Sequence, residues 1–258
     1  MVAQVSDTVL SSKSVAHFDV SVDGSIIDKQ AGNIKNCLSE WKSVTNDPSI
    51  LYIVQDYRLE FLTQPVQSQE PQQTRFKENE IPYLHTEIVK LLSKGVVEPC
   101  DHEPNEFISP IFLRPKKNDS FRVILNLKKL NEFLVYRHFK MDTLQQCLDL
   151  MTPKCFMSSL DLSDAYYSVP IADSHQKYLK FRIGKQLFKY TCLPNGLSSG
   201  PRIFTKLLKP VFSVLRQSGH ISSTYLDDSY LQGFSSDACA DNVAAATKLL
   251  FVSGKNPI

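Results

Sequence analysis

The sequence predicts an α+β protein. Segments of helical period alternate with short strand-like runs, and two pairs of those runs flank turn signals that suit hairpins. The 258 residues are 42% hydrophobic and 22% charged, ordinary globular values that allow one large domain or two small ones with a real core.

Residues 1–30 are polar, rich in Ser, Asp and Val and without clear period, which predicts a loose N-terminal arm. Ile34, Cys37, Leu38 and Trp41 then fall at helical spacing. Asp47 before Pro48 reads as the N-cap and first residue of a short helix through Val54. The stretch PVQSQEPQQT (65–74) is a Pro/Gln-rich linker. Beyond it Leu84, Ile88, Leu91 and Leu92 make one apolar helix face, closed by Gly95 as a C′ glycine. Strand-like segments follow at 96–98, 110–114 and 121–127, then a helix at 141–151 and a buried strand at 156–162. A hairpin spans 178–191 with its turn at Gly184. Ile203, Leu207, Leu208, Val211, Phe212 and Leu215 mark a long helix that Pro210 should kink or break. Residues 222–232 form a second hairpin with Asp227 and Asp228 at its turn, and 237–252 are helical again.

Charge narrows the functional classes. The formal net charge is only +2, so any affinity for nucleic acid must come from local patches. Residues 1–60 carry five Lys/Arg against eight Asp/Glu, which makes them a poor nucleic-acid surface. The six cysteines lie far apart with no CxxC pair. They read as free thiols of a reducing compartment, with neither a zinc site nor a disulfide framework. No signal-peptide core and no apolar run near the ~18 residues of a membrane span is present, so the expectation is a soluble, intracellular protein without a membrane partner.

The segment STYLDDSYL (223–231) sets two carboxylates side by side in a strand-like frame. Successive strand residues face opposite sides, but at a tight turn both can sit at one edge. Like charges that close repel unless a cation or solvent intervenes. A solvated turn is one explanation, since Asp is common there. A divalent-cation site is the other, because carboxylate oxygens are natural Mg²⁺ ligands. Tyr225, Leu226, Tyr230 and Leu231 bracket the pair, which suits a packed hairpin. A third acid, Asp161, ends an apolar strand in SSLDLSDAYYSVP (158–170), and Asp164 follows where the chain turns. Carboxylates at strand ends of one sheet can hold two ions roughly 4 Å apart, the arrangement that supports nucleotidyl transfer.

Three segments, SLDLSDAYYSVP, CLPNGLSSGPRIFTKLLKP and TYLDDSYLQG, resemble the A, B and C motifs of reverse transcriptases, in the family's order and at its separation. Upstream, ISPIFLRPKKNDSFRVILNLKKLN resembles the fingers strands of the same enzymes, and the nearest likeness is to DIRS and gypsy-like retroelements. The resemblance covers roughly residues 80–250. It implies a right-hand polymerase, with fingers and a ferredoxin-like palm sheet. It also implies that Asp161, Asp227 and Asp228 are catalytic and hold two Mg²⁺ ions, with Mn²⁺ as a substitute. Asp164 and Ala165 would sit beside the incoming triphosphate, although Asp164 equally suits a helix N-cap. Tyr166 matches the steric gate under the sugar, and an ordinary core aromatic is its alternative; adjacent Tyr167 packs in the core. Asn195 and Gly196 would contact the nucleotide, with Asn195 standing where relatives carry Phe or Gln, and Gly200 where Ala is commoner.

Positive charge collects where phosphates would lie. Residues 110–131 hold six Lys/Arg against only Asp119, and Lys116, Lys117 and Arg122 correspond to fingers residues that close on the triphosphate. Lys180 and Arg182, in a stretch free of acids over 174–190, and Arg202 and Lys206, on the 201–217 helix, would follow the template-primer backbone. Tyr225 and Leu226 would lie under the primer terminus. A solvated face is the alternative for each basic run.

The resemblance divides the chain into an N-terminal extension with short helices and a Pro/Gln linker (1–75), fingers and connection (76–153), palm motif A (154–168), the second fingers part (169–194) and palm motifs B and C (195–258). Relatives continue past LLFVSGKNPI into a further strand, primer grip, thumb and RNase H. The expectation is therefore a palm that is C-terminally incomplete, with the thumb absent and an exposed or missing sheet edge. Its implied partners are an RNA/DNA template-primer, dNTPs and the remainder of a retroelement polyprotein. Two functions follow: an RNA-directed DNA polymerase segment, or an inactive retroelement remnant that at most binds nucleic acid.

Overall fold

A computed structural model describes residues 31–115 and 121–254. The expected arm over 1–30, and Lys116 and Lys117, lie outside the described residues.

A 3-10 turn over Asn33–Cys37 leads into α1 (Leu38–Val44), and α2 (Pro48–Asp56) follows. Asp47 caps α2: its carboxylate accepts the Ser49 N–H at 2.8 Å, and Pro48 has no N–H to satisfy. α3 (Ile81–Ser93) buries Leu84, Ile88, Leu91 and Leu92, the face that the sequence marks. It ends where Gly95 takes φ +67°, with the Gly95 N–H donating to Leu92 and the Val96 N–H to Leu91, both at 2.9 Å. Only a glycine adopts that left-handed turn without strain.

Strands β1 (Val97–Cys100), β2 (Ile111–Pro115) and β3 (Phe121–Leu125) come next, then α4 (Lys128–Asn131) and α5 (Leu144–Leu150). β4 (Phe156–Asp161) precedes α6 (Asp173–Gln176), and β5 (Lys180–Ile183) and β6 (Gln186–Tyr190) form the hairpin that turns at Gly184, φ +57°. α7 (Gly200–Gln217), β7 (Ile221–Tyr225), β8 (Asp228–Gly233) and α8 (Ser236–Val252) complete the order. Among the described residues the strands form antiparallel sheets β1-β6-β5, β2-β3 and β4-β8-β7.

Helices α7 and α8 pack on the β4-β8-β7 sheet, and they do so closely. A Cβ at Gly233 would lie 2.2 Å from the Cys239 nitrogen, so β8 and α8 meet backbone to backbone there. α7 buries Ile203, Phe204, Leu207, Leu208, Val211, Phe212 and Leu215 on one face. The same core takes in Ile34, Trp41, Ile53 and Val54, all at most 4% exposed. Trp41 also donates its indole N–H to the Ser253 carbonyl at 3.1 Å, tying α1 to the segment after α8. The short N-terminal helices are thus built into the main core.

Two expectations are corrected. Of the kink or break expected at Pro210, the break does not occur, since α7 runs unbroken through it. A proline there removes one N–H donor, but the apolar face on both sides of it stays anchored in the core. β4 is not a buried strand. It lies at the edge of its sheet, with Phe156 50% and Met157 59% exposed and Leu160 its buried residue. Its apolar residues reflect strand propensity and not burial, which is how a short run misleads. No helix among the described residues is long and apolar enough to cross a membrane.

Candidate active site

The β7–β8 hairpin pairs Tyr225 with Asp228 and leaves Leu226 and Asp227 as its two-residue turn. On the other side of β8 the register sets Asp161 directly opposite Asp228, and the Leu162 N–H donates to the Asp227 carbonyl at 3.0 Å. Strand alternation explains the facing. Leu160, Ser229 and Leu231 turn into the core, which sends Asp161, Asp228, Tyr225 and Tyr230 to the open face. Two carboxylates at one cross-strand position repel, so this arrangement works against stability unless a cation joins it.

Asp227 takes a different direction. It lines a cavity of about 170 Å³ together with Arg122, Asp164, Tyr166 and Asn195. Asp228 instead lines a cleft of about 1120 Å³ between the sheet face and residues 138–147. Among the described residues no three acidic, histidine or cysteine side chains are grouped as ligands of one metal. The backbone register therefore brings the three aspartates to one sheet end, with Asp161 and Asp228 on one face, while Asp227 and Asp228 line different cavities. In residue type the set fits a hard divalent cation, which takes oxygen ligands and keeps waters and substrate oxygens as the rest.

Motif A turns sharply after the strand. Asp164 adopts φ +49° and opens the 3-10 helix Ala165–Ser168, yet its side chain makes no capping bond. It forms an ion pair with Lys94 instead. Tyr166 stacks on Phe204 with centroids 5.2 Å apart and planes at 22°. A Cβ at Gly200 would come within 3.1 Å of the Tyr166 ring, so the glycine one turn before Phe204 lets that ring settle against α7. Burial, with the charge of Asp227 and then Tyr225 nearby, pushes the Tyr166 hydroxyl up to about 12, which keeps it a neutral hydrogen-bonding group. Tyr167 packs against the core, and burial raises its hydroxyl further.

The 195–198 turn is held from outside. Gly196 takes φ +97°, and a Cβ there would meet the Leu125 carbonyl at 3.2 Å. The Asn131 side chain donates to the Gly196 carbonyl at 3.0 Å and accepts the Ser198 N–H at 2.9 Å. Asn131, Lys90 and Lys94 are the residues around this site that sequence reasoning missed. The spacing of Lys90 and Lys94, one helical turn apart beside the apolar face of α3, was the available signal.

The expected template contacts fare differently. Lys180 is fully buried, its ammonium bonded to Glu106 at 2.7 Å, Glu103 at 2.9 Å and the Asp101 carbonyl at 2.7 Å. A backbone contact by Lys180 is corrected accordingly. Arg182 donates to Glu70 at 2.8 Å, and Arg202 to Glu60 at 2.8 Å. Glu70, Glu103 and Glu106 come from distant parts of the chain, which is why the 174–190 stretch around Lys180 and Arg182 holds no acid. Lys206 is half-buried on α7, and Arg122 is exposed on β3.

The sequence profile of the reverse transcriptase (RNA-dependent DNA polymerase) family matches residues 114–251. The chain belongs to that family. Among its curated relatives are two retrovirus-related Pol polyproteins of Drosophila melanogaster, from transposon 412 (23% identical over 167 residues) and from transposon gypsy (26% over 152). The Tf2-3 transposon polyprotein of Schizosaccharomyces pombe is 25% identical over 119 residues. These alignments take in 62%, 57% and 46% of the chain but only 13%, 14% and 9% of the relatives, so it spans a small part of their length. In structure it is similar to the foamy viral protease-reverse transcriptase in complex with dsDNA, at TM-score 0.66 and 20% identity over 78% of this chain and 41% of that one. The native prototype foamy virus protease-reverse transcriptase matches at TM-score 0.65 and 18% identity, over 78% and 26% of the two chains. The fold is thus the α+β fold of reverse transcriptases.

Proposed function

We propose that this chain carries the fingers and palm of an RNA-directed DNA polymerase, a segment of a retroelement polyprotein. It adds deoxynucleotides to a primer 3′-hydroxyl on an RNA or DNA template. The observation that carries the reading is the register that sets Asp161 across from Asp228, with Asp227 on the adjoining turn beside the Tyr166 cavity.

Asp161, Asp227 and Asp228 would hold two Mg²⁺ ions, or Mn²⁺ in their place. Bound there, divalent ions supply charge neutralisation of the triphosphate and a lowered pKa for the attacking hydroxyl. The chain's own groups bind and orient. Arg122, with Lys116 and Lys117, grips the phosphates, while the backbone at Asp164 and Ala165 offers N–H donors to them. Tyr166, flat against Phe204, lies under the sugar and leaves no room for a 2′-hydroxyl. Asn195 and Gly196 contact the nucleotide, and the missing Cβ of Gly196 permits close approach. Tyr225 and Leu226 lie under the primer terminus, with Arg202 and Lys206 nearest the template-primer backbone. In the reaction the primer 3′-oxygen bonds to the α-phosphorus, the bond to the β-phosphate bridge breaks, and pyrophosphate leaves as the hydroxyl proton passes to solvent.

The test is single-nucleotide extension of a DNA primer on an RNA template with Mg²⁺, comparing the chain with its Asp227→Asn variant. The reading predicts incorporation by the wild type and a loss of at least about a hundredfold in the variant, as for removal of a major electrostatic group. Equal incorporation by both proteins contradicts it. A wild type that binds the duplex without extending it would instead support the inactive nucleic-acid-binding remnant.

A further inference from the structure

Helix α3 lies upstream of residues 114–251, which carry the family match, yet its last turn reaches the nucleotide cavity. Lys90 and Lys94 line that cavity alongside Arg122, Asp164, Tyr166 and Asp227. Lys94 is fixed at its base. Its N–H donates to the Lys90 carbonyl at 3.2 Å, and the next carbonyl, of Gly95, accepts the Thr191 hydroxyl at 2.6 Å. Its ammonium is paired with Asp164, whose carboxylate has no capping role to occupy it. The two side chains are 26% and 34% exposed, so water reaches the pair and screens it in part.

We propose that Lys94 is a triphosphate-binding residue, exchanging the Asp164 carboxylate for a phosphate of the incoming nucleotide. A lysine is a compact cation with three donors, and a phosphate oxygen is a stronger partner for it than one solvated carboxylate. A polyphosphate brings more negative charge into the cavity than Asp164 does, so the exchange runs toward the nucleotide. Lys90, one turn earlier, adds a second cation on the same side. The inference rests on the nucleotide reading above and adds to it a ligand from outside the polymerase motifs.

The test measures binding of inorganic tripolyphosphate, dTTP and deoxythymidine to the full chain by titration calorimetry, with Mg²⁺ and with EDTA. Lys94→Ala should weaken tripolyphosphate and dTTP about tenfold, the scale of one charge-assisted hydrogen bond, and leave deoxythymidine unchanged. Asp164→Asn, which tolerates the left-handed backbone, should tighten both polyphosphates severalfold by releasing Lys94. The opposite signs separate a phosphate ligand from a structural ion pair, whose loss would move neither affinity. Should Lys94→Ala not fold, Lys94→Gln serves in its place, with thermal unfolding as the check. Unchanged affinity in the lysine variant, or weakening in Asp164→Asn, overturns the proposal. Failure of the wild type to bind dTTP at all removes the nucleotide reading itself.

Discussion

Leu226 sits in the hairpin turn at φ +55°, a conformation that costs a branched side chain roughly 1–2 kcal/mol. A two-residue turn with positive φ at its first position suits glycine, so the leucine is there for a reason other than the turn. Leu226→Gly should therefore be more stable than Leu226→Ala by about 1 kcal/mol in denaturant unfolding, because only the glycine relieves the strain. Equal stabilities would mean that the turn is relaxed. At this scale the strand-end position of Asp161 and the hairpin over 222–232 were legible in the sequence, although the turn falls on Leu226 and Asp227 and leaves Asp228 to open β8. The leucine's strain was not, since nothing in YLDD announces a left-handed turn. Lys180 was misread for a related reason. Its charge is local to the sequence, but Glu103 and Glu106, which bury it, arrive from a loop some 75 residues away.

Between elements, α8 and β8 approach backbone to backbone at Gly233. Gly233→Ala would drive a Cβ to 2.2 Å from the Cys239 nitrogen and 2.6 Å from the Ala238 carbonyl carbon, backbone atoms that give way only if the helix moves. Overpacking against a side chain costs about 1–3 kcal/mol, so this substitution should cost about 3 or more, read as a fall in the denaturant midpoint. A midpoint within error of the wild type would show that α8 is free to shift. The helices were legible because their apolar faces repeat over several turns, as with Leu84, Ile88, Leu91 and Leu92. β4 was placed correctly but its environment was not. A short apolar run has the same composition at a sheet's edge as at its centre, and Phe156 and Met157 face solvent.

Across the whole molecule, ion pairs join segments that the sequence keeps apart. Glu60 meets Arg137 at 2.6 Å and Arg202 at 2.8 Å, while Lys180 meets Glu103 and Glu106. Burial alone would raise both Glu60 and Glu106, but the hydrogen bonds from Arg137 and Arg202 to the first, and from Lys180 and His102 to the second, hold them below the usual carboxylate range. Carboxylates depressed in the folded state add stability that is present above their unfolded value and is lost as pH falls through the folded one. Unfolding free energy should thus be level near neutrality and drop from about pH 4 downward. Lys180→Met should remove about 3 kcal/mol at pH 7 and flatten that acid drop, because Glu106 loses its partner. An unchanged acid slope would show that the buried pair contributes nothing. The proposed cation site sets Asp161 across from Asp228 on β4 and β8, and electron paramagnetic resonance of Mn²⁺ binding tests it most directly. The wild type should take up Mn²⁺, and Asp161→Asn should lower the affinity at least about tenfold while its thermal unfolding shows the fold intact. Identical Mn²⁺ binding by the two proteins would contradict the account.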